Sequence, residues 1–285
     1  MKKLLGAFAL LMTMVGAPVA HAAEGGVPLE RAPYRVNDLA ALQNGAKLFV
    51  NYCLSCHSAS SMRYSDLREI GLTDEQISKN LLFTADSVNE MMTIAMTPAD
   101  AKKWFGTAPP DLSVMARAKS VNAGPSGTDY IYTYMRSFYR DASKLTGWDN
   151  LVYPNVAMPH VMWQQQGPRE LTKVVVHEKE GENGQPAGWE RVTTTFDEFG
   201  YSTVKAEPLS GHVNHESMEF QFTPKNLAMA QAYDRQVADL AAFMSWMAEP
   251  VQIERTRIGM WVLLYLGLFL LIAWRLNAVY WKDVK

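Results

Sequence analysis

Residues 47–57 read KLFVNYCLSCH, and Cys53, Cys56 and His57 form the pattern CxxCH. That spacing suits the attachment of a c-type haem. Two thiols three positions apart reach the two vinyl groups along one porphyrin edge and form thioethers, while the next residue reaches the iron. The 285-residue chain has two cysteines, and both lie here. A CxxC redox pair would sit in a thioredoxin-like βαβ setting. Here Leu39, Leu42, Ala46, Phe49 and Val50 recur at helical spacing, so a helix over 37–50 leads into the motif. Zinc would require further ligands, and the chain has no second cysteine pair or suitably spaced histidine pair. A disulfide closing so short a loop would constrain the unfolded chain little. One covalently attached haem c is the reading, with Cys53 and Cys56 as its thioether attachments and His57 as an axial iron ligand.

The sixth ligand separates function classes, because a closed six-coordinate iron carries electrons and an open position binds oxygen or peroxide. Of sixteen methionines, those such as Met135, Met244 and Met247 fall on helical faces, where core packing explains them. Met158 differs. It lies in the irregular stretch YPNVAMP, residues 153–159, where Pro159 stiffens the chain just after it. Met162 and His160 are the rivals for the same position. A thioether ligand raises the reduction potential relative to a second histidine.

The ends of the chain place it. Lys2 and Lys3, an apolar run and Ala20-His21-Ala22 make residues 1–22 a secretory signal peptide. Residues 258–274 read IGMWVLLYLGLFLLIAW, an expected membrane span once Arg275 snorkels beside Tyr280 and Trp281. Residues 251–285 are therefore an anchor with a short cytoplasmic tail. Arg255 and Arg257 on the outer side oppose the positive-inside rule, so the exported N-terminus decides the orientation. The domain between, 23–250, lies in the periplasm and carries an excess of about seven acids, although the whole chain is only at −2. Such a surface favours a basic partner. The near balance of the whole chain leaves no basic footprint for nucleic acid, and 48% hydrophobic residues exclude a disordered chain.

Between these ends, helical patterns are expected over 73–80, capped by Thr73, and over 87–95. The proline loop APPDLS, 108–113, leads to a helix carrying Arg117 and to a second helix over 128–140. Residues 148–166 have no steady period. Strands over 172–178 and 189–196, joined across Asn183-Gly184, read as a β-hairpin, with two more short strands near Val204 and over 218–222. Thr223-Pro224 would open a helix running to Glu249, whose apolar face packs on the first helix where Gly45 permits close approach. The fold class is mainly α: a helical haem domain with a small β-hairpin insertion, about 168–222, and one C-terminal transmembrane helix. Glu178, Glu180, Glu182, Asp197 and Glu198 make the insertion acidic, either as a solvated surface or as a guide for a basic partner. His212 and His215 are a loop pair without a third ligand.

GAKLF at 45–49 leading into CLSCH, PPDLS at 109–113, YPNVAMP at 153–159 and WMAEP at 246–250 before the anchor occur here in order. Together they resemble the cytochrome c1 family, the haem subunits of cytochrome bc1 complexes, in its bacterial form. The resemblance implies a cytochrome c-like fold and His57 and Met158 as axial ligands. It also implies that Arg117 pairs with a haem propionate and that Tyr130 lies near that edge. A solvated helix arginine and an ordinary core tyrosine are the plainer readings of those two. The implied partners are cytochrome b, a Rieske iron–sulfur protein, a soluble c-type cytochrome and the lipid bilayer, in a dimeric complex. The implied role is electron transfer without bond chemistry, in the bacterial cytoplasmic membrane. Two other readings remain open: a membrane-anchored haem enzyme or sensor with an open iron site, and an anchored electron donor to a terminal oxidase.

Overall fold

The computed structural model describes residues 26–33, 35–180, 186–210 and 215–283. The signal-peptide segment, the Asn183-Gly184 turn and His212 lie outside the described residues.

Helix α1, Leu39–Tyr52, starts at Asp38, whose carboxylate accepts the Ala41 N–H at 3.2 Å. Its buried face, including Leu42, Ala46 and Phe49, meets the long helix Leu227–Ala248. The Phe49 and Phe243 rings lie 5.6 Å apart at this crossing. Next come strand β1, Ala59–Arg63, a 3₁₀ turn, Tyr64–Ile70, and α2, Asp74–Asn80. Thr73 caps α2 through a reciprocal box with Gln76, as its sequence predicts.

The expected helix over 87–95 does not form. Instead strand β2, Met91–Met92, pairs antiparallel with β1, and the Tyr64 and Ser65 amides donate to Glu90 and Val88 carbonyls. Nine residues are too few for a helix to hold against that pairing, which buries Met92 completely. Helix α3, Pro98–Phe105, was not expected, although Thr97 before Pro98 is a capping signal.

Helix α4, Met115–Ala118, carries Arg117, and α5 runs Gly127–Arg136 from a Ser126–Asp129 capping box. Helix α5 stops four residues before the expected end. The Ser137 hydroxyl bonds back to Thr133, and the Arg169 guanidinium donates to the Arg136 carbonyl at 2.7 Å and to the Phe138 carbonyl. Phe138–Arg140 is then free to pair as β3 with β4, Trp148–Asn150. A short helix, α6, occupies Trp163–Gln166.

The insertion is a four-stranded antiparallel sheet in the order β7-β6-β5-β8, built from Arg169–Glu180, Pro186–Phe196, Ser202–Leu209 and Ser217–Pro224 as β5 to β8. Its strands are longer than their sequence signals. Leu171, Phe196, Met218, Phe220 and Phe222 pack with Val27, Leu151 and Val152 in a satellite core that fastens the sheet to the helical unit. The helix after the sheet, α7, begins at Leu227 and not at Pro224, because Pro224 ends edge strand β8 opposite Arg169. Asn226 supplies the cap, accepting the Met229 N–H at 3.1 Å.

Helix α8, Gln252–Tyr280, has 29 residues and no buried ones. Among the described residues it is the helix long and apolar enough to cross a membrane. At 1.5 Å per residue it spans roughly 43 Å, more than the apolar thickness of a bilayer.

Candidate haem site

The motif is wound onto the end of α1. The Cys53 and Leu54 amides donate to Phe49, and the Cys56 and His57 amides donate to Cys53 at 3.1 and 2.9 Å. This turn brings both thiols and the imidazole onto one short piece of chain. Cys53 is buried, and burial, then the neighbouring Cys56, pushes its thiol up to about 12. A thiol that resists ionisation suits an uncharged thioether better than a metal thiolate. Half-buried Cys56 opens on a cavity of about 460 Å³, together with Ser58, Met96, Pro109 and Asp111.

His57 is oriented by the proline loop. Its Nδ1 lies 2.7 Å from the Pro110 carbonyl oxygen, so Nδ1–H donates and Nε2 is left as the ligating atom. Burial lowers the imidazole's pKa, while the Pro110 bond and Asp111 pull the other way; the net direction is down, toward the neutral form that binds metal. Asp111 fixes the loop. Its carboxylate accepts from the Ser60 amide and hydroxyl, at 2.8 and 2.7 Å, and from the Ser113 amide at 2.8 Å. Burial opposes its ionisation, but these Ser113 and Ser60 bonds win and hold its carboxyl below the usual range. The Leu112 amide completes the clasp by donating to Ser58 at 2.8 Å.

Met158 is half-buried against the main core, which Leu112, Met115 and Tyr130 also border. The Tyr134 hydroxyl donates to its sulfur at 3.6 Å. Burial first, then Tyr130 and Tyr153, pushes the Tyr134 pKa up, so this phenol stays a proton donor. The loop before Met158 is pinned by β4. Asp149 accepts the Asn155 amide at 2.7 Å, and Asn150 accepts the Val152 and Tyr153 amides at 2.9 and 3.1 Å. Asn155 takes the left-handed conformation, φ 61°, which asparagine tolerates best among residues with a side chain.

Met162 is fully buried in the main core. His160 stacks on Phe138 at 4.7 Å and meets the Trp148 and Tyr233 rings edge-on. Burial, then Arg169 and Arg140, pushes His160 down to about 3. Arg117 on α4 reaches within 3.8 Å of Glu249 and is largely exposed. Tyr130 stacks on Tyr134 with centroids 6.0 Å apart, and the Lys119 ammonium lies 4.6 Å over its ring. His215 is exposed in a bend. The sequence reading missed Tyr134, Asp149, Asn150 and the Pro110 carbonyl. An Asp-Asn pair just before an irregular loop was the available signal, since both side chains readily accept backbone N–H groups.

The family model described as the cytochrome C1 family matches residues 30–187 and 223–284, leaving 188–222 of the sheet unmatched. The chain belongs to the cytochrome c1 family. It is similar to cytochrome c1 of Allochromatium vinosum, 38% identical over the full length of both chains. The Nitrosomonas europaea protein named ammonia monooxygenase gamma subunit is 35% identical over 97% of each chain. Cytochrome c1 of Rhodospirillum rubrum is 26% identical over 100% of this chain and 98% of that one. As a cytochrome c1, the chain carries one covalently bound haem c and is the c1 electron-transfer subunit of a bc1-type complex, alongside cytochrome b and a Rieske protein. Its own residues fit that group: a buried thiol that stays neutral, a second thiol at a cavity, and an imidazole whose Nδ1 is already engaged.

Proposed function

We propose that this cytochrome c1 accepts single electrons from the Rieske protein and delivers them to a soluble c-type cytochrome. Bound to the protein, the haem supplies a one-electron ferric–ferrous couple. The observation that carries this reading is the Nδ1 bond of His57 to Pro110, which orients a neutral imidazole with Nε2 left to ligate. Cys53 and Cys56 would form the thioethers, His57 and Met158 would ligate the iron, and Arg117 and Tyr130 would serve the propionate side. Met162 and His160 are already committed to packing, which supports Met158. Arg117 can exchange its long contact with Glu249 for a propionate, because Arg255 holds the same carboxylate at 2.8 Å.

Residues 23–250 form the periplasmic haem domain after removal of 1–22, and 251–285 form the anchor and cytoplasmic tail. The acidic excess of the domain suits a basic soluble acceptor, by steering that weakens with salt. The complex is dimeric in this reading. Purification from the native membrane tests it: a Rieske protein and cytochrome b should co-purify, and the ferrous protein should reduce a basic c-type cytochrome more slowly as salt rises. Rapid carbon monoxide binding by the native reduced protein would instead mark an open iron site and the haem-enzyme alternative.

Two further outcomes follow from the geometry. Tyr134→Phe removes the proton donor on the Met158 sulfur and keeps the ring; its loss returns electron density to the sulfur and favours ferric iron. The potential should fall by about 30 mV, roughly threefold in the one-electron equilibrium, with the axial-ligand spectrum retained. Redox titration checks the shift. Ending the chain after Pro250 should leave a haem domain that fractionates with water-soluble proteins without detergent and keeps the parent spectrum, since α8 buries no residue against it.

A further inference from the structure

A second cavity, of about 380 Å³, lies where β3, β4 and α6 meet the start of the sheet. Arg140 and Arg169 both line it. Among the described residues neither guanidinium makes an ion pair. The Arg140 guanidinium carbon lies over the Trp148 ring, 4.1 Å from its centroid, and 5.6 Å from that of Trp163. Such cation–π contacts hold the group in place while its N–H donors stay available for an anion. Arg169 rests on Phe222 at 3.6 Å, and one of its terminal nitrogens makes the two carbonyl bonds that close α5. Its Nε is buried without a hydrogen-bond partner. Gln166, also lining the cavity and 3% exposed, has neither amide atom in a hydrogen bond of normal length, although His160 and Tyr233 lie beside it.

A buried cation is ordinarily compensated by an anion, and buried amides by hydrogen bonds. The helix-closing bonds account for one nitrogen of Arg169, and the carboxylates that act on it, Asp234 and Glu30, are both paired with Arg136; Arg140 has no ion pair among the described residues. Among the described lining residues Glu198 is the one carboxylate, and it also acts on Lys225. A cavity with two cationic groups stands out in a domain with an excess of about seven acids. We propose that this cavity binds a small soluble organic anion, its carboxylate or phosphate held by Arg140 and Arg169 and its body against the exposed Trp163 side chain and Met229, which also line the cavity. Two guanidinium groups, an amide and an apolar wall fit one oxyanion on an apolar body. The volume lies in the range of small-molecule sites.

The test is calorimetric titration of the detergent-solubilised, haem-loaded full chain with benzoate and with inorganic phosphate, at constant ionic strength set by chloride. Saturable one-to-one binding of either probe is expected, weakened at least tenfold in Arg140→Gln. The haem spectrum and melting temperature of that variant show that it is folded. Trp163→Leu, on a half-exposed ring, should weaken benzoate more than phosphate. Three results would overturn the proposal: no saturable heat with either probe, binding unaltered in folded Arg140→Gln, or binding confined to vesicles containing phosphatidylglycerol. The last would assign the cavity to a lipid headgroup.

Discussion

Met158→Leu should abolish the ferric thioether-to-iron charge-transfer band and lower the reduction potential by on the order of 100 mV, within the roughly 0.8 V that axial ligation commands. The expectation comes from chemistry and position together. Thioether sulfur favours ferrous iron, so its loss stabilises the ferric form. The loop bearing Met158 is held by Asp149 and Asn150 through backbone amides, and those bonds do not involve the side chain being replaced. Methionine and leucine are similar in volume, so the stability loss should stay below about 1.5 kcal/mol. The variant therefore reports ligation and not unfolding. Met162→Leu is the matched control: Met162 is wholly buried and should lose some packing while keeping band and potential. An unchanged spectrum in Met158→Leu with a changed one in Met162→Leu would move the sixth ligand to Met162. Unchanged spectra in both would leave His160 as the remaining rival.

The motif was legible in the sequence because its pattern is local: the residues assigned to haem attachment in the proposed function, Cys53, Cys56 and His57, lie within five residues whatever the rest of the chain does. Helix α1 and the membrane helix were legible for a similar reason, since each is written in the periodicity or length of one apolar run. What was not legible depends on partners distant in sequence. The tautomer of His57 is set by a backbone carbonyl 53 residues away, and a carbonyl has no sequence signature. Tyr134 lies within the expected helix over 128–140 with nothing in its sequence setting to mark it, and only the fold puts its hydroxyl beside Met158. The helix errors have the same cause. Residues 87–95 carry a weak helical period, but β1 offers Met91–Met92 a ladder. Residues 138–140 continue the period of α5, but Arg169 takes the last carbonyls and β4 takes the strand. Pro224 has the right residue type for a helix start and the wrong neighbours, because strand pairing with Arg169 reaches it first.

Gly45→Ala should lower stability by about 3 kcal/mol even though alanine is the better helix former. A Cβ at Gly45 would lie 2.2 Å from the Asp239 carbonyl oxygen and 2.5 Å from the Phe243 Cβ, so α1 and α7 would have to separate. Neither helix is free to do so. The Asp239 carboxylate is gripped from the α1 side by Arg35 at 2.5 Å and Asn44 at 2.8 Å, and Phe243 packs on Phe49. Relief of the clash would lengthen those bonds and open the core one turn away. The intrinsic gain on replacing glycine, about 1 kcal/mol, is too small to offset that. At roughly 2–4 °C per kcal/mol for a domain of this size, the melting temperature should fall by about 6–12 °C. The covalent link should keep the haem on the folded variant below that temperature, which separates loss of stability from loss of cofactor. Gly259→Ala is the contrasting change, because a Cβ there meets nothing within 4 Å, and it should leave the melting temperature of the haem domain unaltered. An equal melting temperature for Gly45→Ala and the parent would mean that the α1–α7 spacing is looser than the contact requires. The CxxCH turn, which continues directly from α1, would then be positioned by its own hydrogen bonds and the proline loop, without help from that crossing.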